Sequence, residues 1–293
     1  MSIFTGSAVA IITPFNNDGS VNYEAFKNMV ETQIAAGTDA ILVAGTTGEA
    51  STIDDAEQIK LIKYCVDVVN KRVPVIAGAG SNDTAHAVEL AKEAEAAGSD
   101  ALLIVTPYYN KTTQKGLVKH YTTIAESINI PIILYSVAGR TGMNIAPATV
   151  KELSKVKNIV AIKEASGDLS QIAKIAEMCG EDFDIYSGND DQTLPILSLG
   201  GKGVISVLAN VMPKEVHDIC DKFFNGDIAG SRKIFLDTLN LANTLFIETN
   251  PIPVKTAANL MGMNAGPLKA PLYDMEPANL EALKAELKKH SLI

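Results

Sequence analysis

Short apolar runs alternate with amphipathic segments along the first 210 residues of the chain. The runs are rich in branched side chains and bounded by turn residues, a pattern typical of strands buried on both faces of a parallel sheet. Eight runs are predicted as strands, at residues 6–15, 40–45, 73–80, 101–107, 131–137, 160–164, 183–188 and 203–210. Most of the segments between them have helical spacing. One covers residues 22–36, and another begins at Thr52 and continues to about residue 70.

This alternation predicts an α/β protein with a (β/α)8 TIM barrel. Strand–helix units of roughly 20–35 residues suit such a barrel. An open, doubly wound sheet is the rival architecture. It ranks second because no GxGxxG motif follows the first strand and no change in composition divides two halves of a sheet.

After Gly226 the strand pattern stops. Helices are predicted at 227–247, 252–262 and 276–290, separated by Pro and Gly residues. The sequence therefore predicts a catalytic barrel at residues 1–225 and a C-terminal helical region at residues 226–293, which is too short to be confidently an independent domain.

Composition and charge narrow the class of function. The net charge of −9 disfavours nucleic acid or an anionic membrane as a partner. No apolar run approaches the ~18 residues of a membrane span. The first residues lack the basic and apolar regions of a signal peptide, so a cytoplasmic location is expected.

Cysteine and histidine spacing argues against a metal. Cys65, Cys179 and Cys220 are an odd number without metal-type spacing, and free thiols are expected. The four histidines lie far apart and form no HExxH motif, so no catalytic metal is predicted.

Lys163 is the first candidate for chemistry. It follows the apolar run 159–162 directly, at the carboxyl end of a predicted buried strand. A charge is costly there unless it is paired or loses its proton. Lys163 therefore either extends to solvent along its apolar stem, or has a lowered pKa and serves as a nucleophile that forms a Schiff base.

Other polar residues follow the neighbouring strands, and in a barrel these strand ends meet at one mouth. The hydroxyls of Thr46 and Thr47 can donate to a carboxylate, Tyr135 can relay protons, and Arg140 can hold a carboxylate in a bidentate fork. Each has a simpler alternative: a turn with a helix cap for the threonines, a core position for the tyrosine and a surface ion pair for the arginine.

Several multi-residue motifs, in order and nearly end to end, resemble one family. They are Gly6-Ser7-Ala8-Val9-Ala10, Gly45-Thr46-Thr47-Gly48-Glu49, Thr106-Pro107-Tyr108-Tyr109, Ile162-Lys163-Glu164-Ala165, Gly203-Val204-Ile205-Ser206-Val207 and Asn250-Pro251-Ile252-Pro253-Val254-Lys255. The chain resembles the dihydrodipicolinate synthases, pyruvate-dependent class I aldolases related to N-acetylneuraminate lyase. The resemblance implies condensation of pyruvate with L-aspartate 4-semialdehyde to 4-hydroxy-tetrahydrodipicolinate, a lyase reaction of lysine and diaminopimelate biosynthesis. It also implies no cofactor beyond a covalent Schiff base, and a homo-oligomer for which a tetramer made of two dimers is favoured.

The resemblance also implies roles for individual residues. Lys163 matches the Schiff-base lysine, and Tyr135 matches the tyrosine that mediates proton transfer. Thr46 and Tyr109 complete the proton relay, with Tyr109 expected to reach into the site of a neighbouring subunit.

The remaining site residues match positions that bind substrate. Thr47 and Ile205 match contacts to pyruvate, and Gly188 lines the same pocket. Arg140 matches the arginine that receives the carboxylate of the aldehyde substrate.

Two of the departures from the family pattern affect the predicted function. Ser136 and Ala138 stand where the family has asparagine and proline, and a looser loop beside Tyr135 is expected. His86 stands where lysine-sensitive members carry glutamate, and Asp55 and Gln58 replace histidines. Feedback inhibition by lysine is therefore expected to be weak or absent.

Two alternatives for function stay open. One is another pyruvate class I aldolase, acting on sialic acid or a 2-keto-3-deoxy sugar acid. The other is a barrel that binds a keto acid without turning it over, which only the altered loop at Ser136 and Ala138 supports.

Overall fold

The computed structural model describes residues 2–293, in which eight parallel strands close into a barrel. The strands are Gly6–Ala10 (β1), Ala40–Val43 (β2), Val75–Gly78 (β3), Ala101–Val105 (β4), Ile132–Ser136 (β5), Ile159–Glu164 (β6), Asp184–Ser187 (β7) and Gly203–Ser206 (β8). Each strand pairs with the next, and β8 pairs with β1. The predicted (β/α)8 barrel is confirmed, and the open sheet is wrong.

Helices surround the barrel and continue beyond it. Those of the barrel region are Tyr23–Ala35 (α1), Asp55–Val69 (α2), Thr84–Ala96 (α3), Gln114–Ala125 (α4), Ala138–Thr141 (α5), Pro147–Leu153 (α6), Leu169–Cys179 (α7), Thr193–Ser198 (α8) and Pro213–Phe224 (α9). Those of the extension are Ile228–Thr244 (α10), Ile252–Leu260 (α11) and Pro277–Lys289 (α12). No helix in residues 2–293 combines the length and apolar character needed to cross a bilayer.

The start of α2 differs from the prediction. Asp54, not Thr52, caps this helix, because its side chain accepts a hydrogen bond from the Glu57 amide at 2.9 Å. The Thr52 hydroxyl instead donates to the Glu49 carbonyl at 2.9 Å, which closes a short 3₁₀ turn.

The end of β8 is also earlier than predicted. Beyond Ser206 the backbone amides of Val207 and Leu208 donate to the Asp190 carboxylate, at 3.0 and 2.9 Å, instead of to a neighbouring strand. Leu208–Asn210 then forms a 3₁₀ turn. A side chain from the loop after β7 thus ends this strand.

The core has one layer inside the barrel and another between the strands and the helices. Phe4 closes the amino-terminal end of the interior and stacks on Tyr186, with 4.3 Å between ring centroids. Tyr135 and Lys163 lie two positions beyond Ile133 and Ala161, which are packed in the interior. Since strand side chains alternate between faces, both point into the barrel at its carboxyl-terminal end.

The C-terminal extension packs directly on the barrel. The Phe15 amide donates to the Ala265 carbonyl at 3.1 Å. Gly266 has a φ of +71°, and a Cβ there would lie 1.8 Å from the Phe15 carbonyl oxygen, so the close approach requires glycine. The division of the chain at residues 225 and 226 stays a prediction.

Candidate active site

Lys163 is buried at the carboxyl-terminal end of the barrel. Its exposed fraction is 5%, so the alternative in which it extends to solvent is wrong. In the pairing of β5 with β6, Lys163 lies opposite Tyr135. The Lys163 Nζ is 4.5 Å from the centroid of the Tyr135 ring. The two residues that the sequence selects for imine chemistry are therefore in contact.

The surroundings of Lys163 favour its neutral amine. Burial lowers the pKa of Lys163 to about 8, while the carboxylate of Asp190 opposes this shift and Arg140 adds to it. A neutral amine is the nucleophilic form, and a pKa near 8 leaves an appreciable fraction of it near neutral pH.

Tyr135 is held in its protonated form beside Lys163. Burial raises the pKa of the Tyr135 phenol, and Arg140 and a hydrogen bond with Thr46 oppose that rise. A protonated phenol beside a threonine hydroxyl can pass a proton to or from a reacting nitrogen or oxygen. Lys163, Tyr135 and Thr46 therefore form a group that can carry out acid–base chemistry around an imine.

A cavity of about 400 Å³ opens above this group. Its wall includes Thr46, Tyr135 and Arg140 and continues to His86 and Tyr108. Lys163 is not part of that wall, but its Nζ is in contact with the ring of Tyr135, which is.

Asn250 joins the two residues that are predicted to bind carboxylates. Its side-chain amide donates to the Thr47 hydroxyl oxygen at 3.0 Å, and its backbone carbonyl accepts from Arg140 Nη2 at 2.9 Å. The Thr47 hydroxyl hydrogen is left free to donate to a ligand. Asn250 lies in one of the motifs that carry the family resemblance, but nothing local to residues 250–255 indicates its contact with Thr47.

Gly188 and Ile205 lie where a small ligand on Lys163 would be enclosed. A Cβ on Gly188 would lie 2.7 Å from the Ala165 Cβ and 3.2 Å from the Lys163 Cε. Any larger residue would therefore push against the lysine. Ile205 is fully buried in the barrel interior, in the same apolar cluster as Tyr135.

Tyr109 is the predicted site residue that the single chain does not bring to the others. It is 91% exposed and has a φ of +68°, in the left-handed region that few non-glycine residues adopt. Its predicted role in the site of a neighbouring subunit stays a prediction.

The loop beside Tyr135 is anchored despite its altered sequence. The Ser136 hydroxyl donates to Asn144 Oδ1 at 3.2 Å, and residues 138–141 form one helical turn. The Thr141 hydroxyl donates to the Val137 carbonyl at 3.2 Å. These hydrogen bonds anchor the loop in this chain, and the expectation that it is looser than in the family stays a prediction.

Polar residues at the far end of the cavity are paired with each other. His86 Nε2 lies 2.8 Å from Asp55 Oδ2, and His86 Nδ1 lies 3.1 Å from the Ser81 hydroxyl. The Gln58 side chain donates to the Gly78 carbonyl at 2.9 Å. Across residues 2–293, no group of three or more His, Cys, Asp or Glu side chains is arranged to hold a metal ion.

Comparison with known proteins gives matches over the whole chain. Residues 3–290 match the sequence model of the Dihydrodipicolinate synthetase family. The 4-hydroxy-tetrahydrodipicolinate synthase of Clostridium perfringens (strain SM101 / Type A) is 60% identical over 99% of this chain and 100% of its own length. 4-Hydroxy-tetrahydrodipicolinate synthase 1 of Clostridium acetobutylicum is 59% identical over the full length of both chains. The crystal structure of dihydrodipicolinate synthase from Aquifex aeolicus superposes with a TM-score of 0.96 at 46% identity, covering 99% of each chain.

Proposed function

The chain belongs to the dihydrodipicolinate synthetase family, and we propose that its barrel condenses pyruvate with L-aspartate 4-semialdehyde to 4-hydroxy-tetrahydrodipicolinate. The observation that carries this proposal is that Lys163 is buried in contact with Tyr135. This burial lowers the pKa of Lys163 to about 8. Identity of 60% to a curated 4-hydroxy-tetrahydrodipicolinate synthase supports this substrate pair over sialic acid or sugar acids. The reaction belongs to lysine and diaminopimelate biosynthesis.

The first half of the reaction forms an imine on Lys163. The neutral amine attacks the ketone carbon of pyruvate and gives a carbinolamine, which loses water to become the Schiff base. Tyr135 and Thr46 supply the proton that the departing hydroxyl needs. The Thr47 hydroxyl, whose oxygen already accepts from Asn250, donates to the pyruvate carboxylate. The covalent lysine adduct takes the place of a cofactor.

The second half forms the carbon–carbon bond. Loss of a proton from the methyl group of the imine gives an enamine, whose terminal carbon attacks the aldehyde carbon of the second substrate. The new alkoxide takes a proton from the relay, and the amino group of the second substrate then attacks the imine carbon, which closes the ring and releases the Lys163 amine. Arg140 holds the carboxylate of the aldehyde substrate in a bidentate contact, while its own Nη2 is braced by the Asn250 carbonyl.

The same proposal includes assembly and location. Tyr109 completes the proton relay of a partner, so the active form contains at least two subunits and is a tetramer made of two dimers. The exposure of Tyr109 supports this assignment. We place the enzyme in the cytoplasm, where the free thiols of Cys65, Cys179 and Cys220 stay reduced.

A coupled assay with both substrates tests the proposal. Turnover is expected with pyruvate and L-aspartate 4-semialdehyde, and not with sialic acid or 2-keto-3-deoxy sugar acids. Tyr135→Phe should lower kcat by about 10²–10⁴-fold, because it removes the proton donor. Tyr186→Phe is the matched control, since the Tyr186 hydroxyl donates to the Phe4 carbonyl at the opposite end of the barrel. Activity on a sugar acid alone, or equal rates for wild type and Tyr135→Phe, would contradict the proposal.

A further inference from the structure

A buried ion pair joins the C-terminal extension to the loop that follows β2. Lys255, in α11, places its Nζ 2.6 Å from Glu49 Oε1, and each side chain is 1% exposed. The ion pair between Arg72 and Glu31, by contrast, has side chains that are 40% and 43% exposed. The pair of Glu49 and Lys255 is therefore shielded from solvent. In such a buried environment charge-assisted hydrogen bonds are strong, and the loss of one partner is costly.

The contacts around the pair satisfy both charges. The second Glu49 oxygen, Oε2, accepts from the backbone amide of Lys269 at 2.9 Å. The Lys255 Nζ lies 4.1 Å from the centroid of the Phe15 ring. Two segments of the extension, α11 and the stretch around Lys269, thus hold one carboxylate.

That carboxylate belongs to the residue that directly follows the loop 45–48, which contains Thr46 and Thr47. Glu49 has a φ of +57°, a left-handed conformation that most side chains avoid. On the other side of the loop, the Thr13 hydroxyl donates to the Gly48 carbonyl at 2.7 Å. The loop is therefore fixed between the end of β1 and the extension.

We propose that Glu49 and Lys255 are positioning residues that hold Thr46 and Thr47 at the geometry pyruvate requires. Neither residue touches substrate; they act through the loop. Apolar contacts are enough to keep the segment around Glu49 buried. The short charge-assisted hydrogen bond also fixes the position of the backbone of that segment. The inference rests on the proposed function, because it takes Thr47 as the pyruvate contact and Thr46 as part of the relay.

Separate measurement of the two half-reactions tests the inference. In Glu49→Gln and Lys255→Met, kcat/KM for pyruvate should fall by roughly 10- to 100-fold, as expected when a contact group moves by about an ångström. The value for L-aspartate 4-semialdehyde should fall less, because that half-reaction uses Thr46 of the loop but not Thr47, and because Arg140 is braced by Asn250 and not by this pair. An equal fall for both substrates would show general loss of structure and would overturn the inference.

The double variant, Glu49→Gln with Lys255→Met, separates position from stability. It buries no unpaired charge, so its thermal midpoint should recover from that of the single variants. Its kcat/KM for pyruvate should stay low, because the ionic link is still absent. Recovery of both quantities together, or failure of the double variant to fold, would show a purely structural role and would overturn the inference.

Asp39→Asn is the control for destabilisation elsewhere in the barrel. Asp39 accepts from the Ser7 amide at 2.8 Å, at the amino-terminal end and far from the loop. Asp39→Asn should lower the thermal midpoint, but the ratio of kcat/KM for pyruvate to kcat/KM for L-aspartate 4-semialdehyde should stay as in wild type. Wild type that turns over neither substrate would overturn the proposed function, and this inference with it. Wild-type turnover with a Glu49→Gln variant as active as wild type would overturn the positioning role alone.

Discussion

Burial is the main cause of the lowered pKa of Lys163, the proposed nucleophile. Loss of solvation lowers its pKa to about 8, the nearby Arg140 cation adds to this shift, and the Asp190 carboxylate opposes it. The Asp190 carboxylate is itself fixed, because Oδ2 accepts from the amides of Val207 and Leu208. The reactivity of one side chain thus depends on two charges that neighbouring strand ends supply.

This balance predicts how adduct formation depends on pH. The rate of imine formation at subsaturating pyruvate should rise with pH and level off above a midpoint near 8, because the neutral amine attacks. Asp190→Asn removes the charge that raises the pKa of Lys163, so its midpoint should lie at lower pH than that of wild type. Stopped-flow measurement of both proteins over a pH series is the test. A midpoint that is unchanged, or moves upward, would be inconsistent with this role of Asp190.

The sequence predicted some of these residues and not others, for a physical reason. Lys163 and Tyr135 follow apolar runs directly, so their place at the barrel mouth follows from strand periodicity. Asn250 and Asp190 act through hydrogen bonds to Thr47 and to the end of β8, partners that only the folded chain brings near. No local pattern marks such contacts.

At the scale of elements, a partly buried polar network ties β5, β6 and α7 together beside the lysine. The Gln171 side-chain amide donates to Glu164 Oε2 at 2.7 Å and to Asn144 Oδ1 at 3.1 Å. Asn144 in turn accepts from the Ser136 hydroxyl. Burial raises the pKa of Glu164, and the hydrogen bond from Gln171 opposes that rise.

Gln171→Leu should therefore destabilise the fold. It removes the donor to Oε2 of the buried Glu164 and one of the two donors to Asn144 Oδ1, and a buried acceptor left unsatisfied typically costs about 1–3 kcal/mol. Denaturant unfolding measures the free energy, and Gln192→Leu is the control, since its amide bonds the Gly167 carbonyl at the surface. A Gln171→Leu protein as stable as wild type would show that the network contributes little.

The order of the elements was predictable because each buried strand is a continuous apolar run. Their ends were not, because side chains from other elements decide them. Asp190 ends β8, and Asp54 rather than Thr52 begins α2. The carboxylate that ends β8 comes from the previous loop and is therefore a tertiary contact. Periodicity alone cannot show such a contact, so it predicts a β8 that is too long.

At the scale of the whole molecule, the proposed exchange of Tyr109 between subunits predicts complementation. Lys163→Ala and Tyr109→Phe should each be nearly inactive alone. Mixed under conditions that exchange subunits, they should recover up to about a quarter of wild-type activity, since a symmetric hybrid dimer contains one site with both residues intact. Gel filtration of the mixture establishes that hybrids form. No recovery in such hybrids would place Tyr109 outside the partner's site.

Regulation by lysine is another property of the whole molecule on which the structure bears. A lysine ligand needs carboxylates for its ammonium groups. Asp55 is already paired with His86 at 2.8 Å, and Gln58 is bonded to the Gly78 carbonyl. Inhibition by lysine should therefore be weak or absent up to millimolar concentration in the coupled assay. Strong inhibition there would contradict the prediction.

The most direct test of the whole account is to trap the imine and locate it. Incubation with pyruvate and borohydride should add one reduced pyruvate per chain, and peptide mass mapping should place it on Lys163. Lys163→Ala should give no adduct while keeping its fold. An adduct on another lysine, or none on folded wild type, would contradict the central claim.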